Sequence, residues 1–420
     1  MAPPEAAREV HARVAALSDP LRRAALAWLK PETELAHELF FGGSGSRPTA
    51  AGQEPGPPPF HGIPYLLKDL FDLAGVPTRA GSTFLDRVRP TPSQDCAIVR
   101  QLTALGATCA GKTHLVEFAS GLTGENPHYG DCPHPYYSDR LSGGSSSGSA
   151  ALVAAGVAPF SIGTDTGGSV RVPAAWCGLY GFRLTPGDDL IRDAFPLAPT
   201  MDTAGWFTAN AADMLTATQA LVGPARPALS QSRGCYLNAR KLVPAMDTAV
   251  ATACDYAAAS LSAHADPVAE ASLVLSWHHA VETYVTIGMS EAHAVHRDWL
   301  APYHEHYDPV IWQRFTDAGH FPPTDIARAR ERLTEIRSVW RDFFRTYDFL
   351  VLPAVPCAAP SKAQATPELR RNILTLTAPA SLGGLPVLSI PIPMSSGLTA
   401  GLQIILPSVD SPVVPWLLNR

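Results

Sequence analysis

Apolar residues recur at intervals of three and four over residues 5–29, 95–105, 211–222 and 326–347, and this spacing predicts amphipathic helices. Between them lie short unbroken apolar runs at 63–67, 107–110, 158–163, 349–352, 387–391 and 402–406. Their length, and the glycines, prolines or charges that bound them, predict buried strands. Residues 147–155 read as a helix of small residues, 244–263 and 271–300 as largely helical, and 114–119 as a helical turn. Residues 42–59 change to Gly, Ser and Pro, and 127–140 are polar and aromatic, so both are expected to be loops. Strands alternating with helices predict an α/β fold on a mostly parallel or mixed sheet. No repeat and no clean linker interrupts the pattern, so one domain is expected over residues 1–420.

Composition supports a large buried core, since 46% of the 420 residues are hydrophobic. Against 38 acidic side chains stand 32 basic ones, a net charge of −6 with no basic block, which argues against nucleic acid as a partner. No stretch reaches the roughly 18 apolar residues of a membrane span. The start, Met1-Ala-Pro-Pro-Glu5, lacks the basic and apolar regions of a secretion signal. Seven cysteines, an odd number without a Cys-x-x-Cys pair, fit reduced thiols better than a disulfide or zinc framework. A cytoplasmic location without membrane contact is expected.

Two stretches stand out from this pattern. Gly143-Gly-Ser145-Ser-Ser-Gly-Ser149 and Gly163-Thr-Asp-Thr-Gly-Gly-Ser169-Val-Arg171 place two Gly-Gly-Ser turns around the apolar run 150–162, with Ser145 and Ser169 24 positions apart. A flexible Ser/Gly linker would not enclose a core segment. Glycine beside regular structure destabilises it by roughly 0.5–1 kcal/mol relative to Ala, but it bares backbone N–H groups. The successive N–H groups of Thr166, Gly167, Gly168 and Ser169 are suited to hold an oxyanion, and losing one such donor slows a reaction about 100- to 1000-fold. Ser169, at the end of that nest, is the better nucleophile candidate. Its base is either a histidine or Lys68, the cation that closes the apolar run 63–67. A lysine of ordinary pKa, about 10.4, is neutral in only about 0.1% of molecules near pH 7.4, so Lys68 would need burial to serve. Ser145 then has a place between the two, as a relay for the proton.

Two other patterns point elsewhere. Gly106-Ala-Thr-Cys-Ala-Gly-Lys112-Thr113 matches the phosphate-binding pattern Gly-x4-Gly-Lys-Thr in full. Its context is wrong, because a helical segment precedes it and the residues between its glycines read as a strand. A P-loop nucleotide-binding protein is kept as the alternative of another class. Histidines crowd residues 278–306, but no His-Glu-x-x-His helix motif occurs, so no metal and no cofactor is expected.

Taken in order, Gly62-Ile-Pro-Tyr-Leu-Leu-Lys68-Asp69, Gly143-Gly-Ser145-Ser146 and Gly163-Thr-Asp165-Thr-Gly-Gly-Ser169-Val-Arg171-Val-Pro173 resemble the amidase signature family. The likeness takes in Gly111-Lys-Thr113 with Glu117-Phe118, which explains the false phosphate-loop match, and the late Gly384-Leu-Pro-Val-Leu-Ser-Ile-Pro391 and Gly401-Leu-Gln-Ile404. Residues 224–348 match only loosely. The resemblance implies a Ser–cis-Ser–Lys amidohydrolase: Ser169 as nucleophile, Ser145 as relay after a cis Gly144–Ser145 peptide, and Lys68 as neutral base. It further implies an oxyanion hole from Thr166, Gly167, Gly168 and Ser169, support from Ser146, Asp165 and Arg171, and substrate contacts at Ser120, Gly121, Leu122 and Thr123. The implied fold is a single α/β/α domain whose large central mixed sheet is covered by helices. Its expected parts are an N-terminal helical segment (about 1–40), a catalytic core (about 60–210), a variable helical region (about 224–348) and C-terminal strands (about 349–420). The expected partners are a small-molecule amide and, at most, a second copy of the chain as a homodimer. A glutaminase subunit of a tRNA-dependent amidotransferase is the alternative within the family. Ser147 departs from the family's usual glycine, and its hydroxyl is open to two roles, as a helix cap or as a group that narrows the site.

Overall fold

A computed structural model describes residues 3–41, 58–227 and 232–420, so nearly all of the loop expected at 42–59 lies outside the described residues. Among the described residues the strands are β1 (Leu26–Leu29), β2 (Ile63–Lys68), β3 (Ala107–Thr113), β4 (Phe160–Thr164), β5 (Tyr180–Arg183) and β6 (Ala204–Thr208). The remainder are β7 (Gly234–Tyr236), β8 (Ala263–His264), β9 (Phe349–Pro353), β10 (Val387–Pro393) and β11 (Thr399–Ile405). They form one 11-stranded mixed sheet in the order β1-β3-β2-β4-β6-β5-β10-β11-β9-β7-β8. Together with the helices that cover it, this makes a single α/β domain. Strands β3 and β4 run parallel on either side of β2, and β4 pairs antiparallel with β6. A strand buried on both faces shows an unbroken apolar run rather than alternation, which is why these strands were visible in the sequence.

Five strands do not follow from periodicity. The first 40 residues are not wholly helical: after helices Pro3–Ala16 and Asp19–Ala25 the chain enters β1, which pairs antiparallel with β3. Ala, Leu and Trp there favour a helix, but pairing at the sheet edge overrides that weak preference. Strands β5 and β6 are interrupted by glycine, which usually marks a weak strand. A Cβ at Gly205 would sit 2.4 Å from the Phe182 carbonyl oxygen, so the glycine permits close approach of two backbones. β7 and β8 are too short to show a period.

At the end of β4 the chain must stop being a strand and present a turn. Asp165 does this from within the core. Its Oδ1 accepts from Gly168 N at 2.8 Å, from Arg171 Nη2 at 2.9 Å and from Arg183 Nη1 at 3.0 Å. Its Oδ2 accepts from Val170 N and Arg171 Nε, both at 3.0 Å. All three charged side chains are fully buried. Arg171 also donates to the Thr377 carbonyl at 2.8 Å and to Gln403 Oε1 at 3.0 Å, tying the turn to helix Pro367–Gly383 and to β11. Burial alone would raise the Asp165 carboxyl, but the two guanidinium groups and the backbone donors hold it well below the usual carboxylate range.

Asp165→Asn keeps the shape of the side chain and leaves two buried guanidinium groups without a counter-charge. Removing one partner of a buried pair typically destabilises a protein by ~3–5 kcal/mol. The urea unfolding midpoint of this variant should fall accordingly, and an unchanged midpoint would contradict the role given to Asp165.

Candidate active site

Lys68 ends β2 with its ammonium-bearing stem inside the protein and no exposed surface. Its Nζ lies 2.8 Å from Ser145 Oγ, 3.0 Å from Ser146 Oγ and 2.7 Å from Thr164 Oγ1. Three neutral hydroxyls and no adjacent carboxylate surround it. Burial therefore lowers its pKa to about 7, against an opposing pull from the more distant Asp165 and Asp202. Near neutral pH a substantial fraction of Lys68 is a free amine, hydrogen-bonded to the serine of the first turn.

That first turn precedes helix Ser147–Ala154. The Gly144–Ser145 peptide is cis, and Gly144 N donates to the Leu122 carbonyl at 2.9 Å. A Cβ on Gly144 would lie 2.8 Å from Val116 Cγ2 and 3.0 Å from Gly124 N, so these residues pack directly on the turn. Ser146 locks the two turns together: its hydroxyl donates to the Thr164 carbonyl at 3.0 Å, and its N–H reaches the Ser169 carbonyl at 3.4 Å. Ser147 is the first residue of the helix, and Ser146 holds the cap position before it. Ser147 itself does not cap the helix.

In the second turn, Ser169 is buried just before helix Arg171–Cys177. The four N–H groups of the expected nest divide. Gly168 N is committed to Asp165, whereas those of Thr166, Gly167 and Ser169 have no acceptor among the described residues. Gly167 faces the Tyr284 hydroxyl, which a Cβ would approach to 2.3 Å, so only glycine fits. Thr166 Oγ1 donates to Asp202 Oδ1 at 2.6 Å, fixing the rim of the turn. No hydrogen bond joins the Ser145 and Ser169 hydroxyls among the described residues.

The expected substrate segment lines a cavity of about 280 Å³ together with Val116, Arg314 and Arg370. A second cavity, about 240 Å³, adjoins Thr164 and Thr166 and is walled by Leu70, Ala119 and Phe195. Among the aromatic side chains of residues 277–312, Tyr284 packs against the nest at Gly167. Trp277 packs on Trp340 in the core at 5.4 Å between ring centres, and Tyr136 is exposed.

Several contributors were not foreseen. Thr164 precedes Asp165 at the close of β4 and completes the Lys68 cradle. Arg183 closes β5 as Lys68 closes β2, so the same signal, a cation ending an apolar strand, would have found it. Glu117 is buried, accepts from Asp308 N at 2.7 Å and pairs with His128 at 2.9 Å, fastening helix Pro309–Ala318 over the site. The phosphate-loop pattern dissolves: residues 107–113 are β3, and Lys112 is buried in an ion pair with Asp69 at 2.6 Å. Among the described residues no group of His, Cys, Asp and Glu is arranged to hold a metal, and His293 and His296 instead bond the Phe315 carbonyl and the Tyr307 hydroxyl. No helix of the described residues is long and apolar enough to cross a membrane.

Comparison with known proteins agrees with this geometry. The Amidase family profile matches residues 44–411. The 1-carboxybiuret hydrolase subunit of Pseudomonas sp. (strain ADP) is 33% identical over 86% of this chain and 81% of its own length. Amidase 1 of Oryza sativa subsp. japonica is 28% identical over 83% of this chain and 87% of its own. A crystal structure of an amidase superposes with a TM-score of 0.83 at 29% identity, covering 99% of this chain and 95% of that one. The chain thus belongs to the amidase signature family and is a hydrolase of C–N amide bonds.

Proposed function

We propose that Ser169 is the nucleophile of a stand-alone amidase that cleaves a small-molecule carboxylic amide through an acyl-enzyme. The observation that carries this reading is the pairing of a buried, easily neutralised Lys68 on Ser145 with three uncommitted N–H groups around Ser169. In the reaction, Ser169 Oγ attacks the amide carbon and passes its proton to Ser145 Oγ, whose own proton moves to Lys68 Nζ. The closing of the Ser145–Ser169 gap requires a rotation of one hydroxyl. The carbonyl oxygen becomes an oxyanion facing the N–H groups of Thr166, Gly167 and Ser169, where preorganised donors stabilise charge without reorganising. Collapse breaks the C–N bond, and the proton returns along the same path to the leaving nitrogen, so ammonia or an amine departs. Water then attacks the Ser169 ester, and its proton takes the same route. Ester substrates can enter by the same chemistry.

The hydrolase needs no second protein in this reading, in contrast to an amidotransferase subunit. The purified chain alone should release ammonia or amine from members of an amide panel. Ser169→Ala should lower kcat/KM by at least about 1000-fold, since removing a nucleophile leaves only binding and oxyanion contributions, while its circular dichroism stays native. Retention of wild-type turnover by Ser169→Ala would sink the reading.

Lys68 works only as a free amine, so the pH profile has a fixed sign. With a pKa of about 7, kcat/KM should rise through neutrality and level off above it. One pH step below that value should leave about a tenth of the plateau. A profile flat from pH 5.5 to 8.5 would remove Lys68 from the proton path.

A further inference from the structure

Among the buried lysines, arginines and aspartates of the described residues, Lys68 and Asp202 alone lack an ion pair. Lys30, Lys112, Arg171 and Arg183 each reach a carboxylate, and Asp69, Asp72 and Asp165 each reach a cation. The two exceptions meet at one cavity, the one of about 240 Å³ walled by Leu70, Ala119 and Phe195. Thr164, whose hydroxyl lies 2.7 Å from Lys68 Nζ, lines it, and so does Asp202. The backbone explains the placement. β4 pairs antiparallel with β6 up to Thr164 opposite Ala204, and Asp165 N continues the ladder by donating to the Thr203 carbonyl at 2.9 Å. One step on, Thr166 stands opposite Asp202, and side chains two apart on an extended chain share a face. Thr164, Thr166 and Asp202 therefore border one space.

Asp202 has three neutral partners. Its Oδ1 accepts from Thr166 Oγ1 at 2.6 Å, and its Oδ2 accepts from Leu197 N and Ala198 N, both at 2.9 Å. Hydrogen bonds to the charged form hold a carboxylate ionised against the burial that raises it. The other charged groups near the two are occupied. Asp165 pulls on Lys68 more strongly, but its charge is shared by two guanidinium groups. Asp69 is closed on Lys112 of the neighbouring strand at 2.6 Å. From helix Ala280–His296, Glu291 faces Asp202 but is engaged by Thr200 N at 2.9 Å and by the Thr200 hydroxyl. Burial pushes the Tyr284 phenol of the same helix up to about 12, so it stays neutral. Asp202 is thus the carboxylate near Lys68 whose charge no cation of the described residues offsets.

We propose that Asp202 is a positioning residue of the reaction: its unpaired carboxylate, across the cavity beside Thr164, stabilises the ammonium that Lys68 becomes when it takes the Ser145 proton. The proposal rests on the reading of Lys68 as the base, and it adds what sets the strength of that base. Burial in a cradle of hydroxyls favours the free amine, which can take a proton but holds it weakly. A carboxylate in contact would make a lasting ion pair, as Asp69 and Lys112 do. One charge held back by Thr166, Leu197 and Ala198 lies between these limits. Asp202 stays ionised throughout and exchanges no proton, and through the same Oδ1 it steadies Thr166, whose N–H belongs to the oxyanion turn.

Asp202→Asn removes the charge and little else, because an amide can keep all three contacts, with its carbonyl on Leu197 N and Ala198 N and its amide nitrogen on Thr166 Oγ1. The direct reading is the titration of Lys68 itself. The chain contains five lysines, so carbon-13 labelling at lysine Cε gives a simple magnetic resonance spectrum, in which Lys68→Met identifies the Lys68 signal. Its midpoint, about 7 in the unaltered chain, should fall in Asp202→Asn. A fall of about half a pH unit or more is expected of one unscreened charge on the order of 10 Å away. The acid limb of kcat/KM should move down with it, while the plateau falls about three- to tenfold through kcat, since a weaker base drives proton transfer less well. A merely structural loss would lower the plateau and leave the midpoint where it was. Asp202→Ser, which keeps an acceptor without a charge, gives the second reading should Asp202→Asn prove misfolded by circular dichroism. An unmoved Lys68 midpoint in the folded variant overturns the inference, whatever turnover does. A midpoint that falls while the limb of kcat/KM stays put would uphold the charge effect and refute Lys68 as the base.

Discussion

Asp165 fixes the backbone from which the site is made. One carboxylate, fully buried, accepts from three side-chain nitrogens of Arg171 and Arg183 and from the backbone of Gly168 and Val170. The charges come from three successive elements within 18 residues of chain, so the turn takes its shape when β4, helix Arg171–Cys177 and β5 are all in place. Drawing Gly168 N inward bends the turn so that the N–H groups of Thr166, Gly167 and Ser169 are left over. A buried ion cluster is weak evidence of net stability, but here it explains the shape of the turn that carries Ser169.

The same burial sets the chemistry of Lys68. Removing an ammonium from water favours the free amine, while Asp165 and Asp202 pull the other way from a distance. The carboxylates are near enough to matter and too far to pair. Had either reached Lys68 as Asp69 reaches Lys112, at 2.6 Å, the lysine would be a structural cation like its neighbour. Two lysines at the ends of adjacent parallel strands, Lys68 on β2 and Lys112 on β3, thus acquire opposite fates from one contact.

The strands buried on both faces and the two serine turns were legible in the sequence, because unbroken apolar runs and paired glycines are local signals. Strands β5 and β6 were hidden because Gly181 and Gly205 serve backbone packing that only the folded sheet reveals. Lys68 bonds to Ser145 and Ser146, and Ser169 is joined to them through its carbonyl on Ser146 N. The loss of Gly168 from the set of free donors was not legible, since it depends on the side chain of Asp165 three residues earlier.

The central claim is that the second turn, and not the first, presents the nucleophile. It is tested most directly by reacting the protein with a fluorophosphonate and mapping the adduct by peptide mass spectrometry. The account requires one adduct, on Ser169, formed faster as Lys68 loses its proton. An adduct on Ser145, or an unlabelled Ser169 in a preparation that still hydrolyses amides, would contradict it.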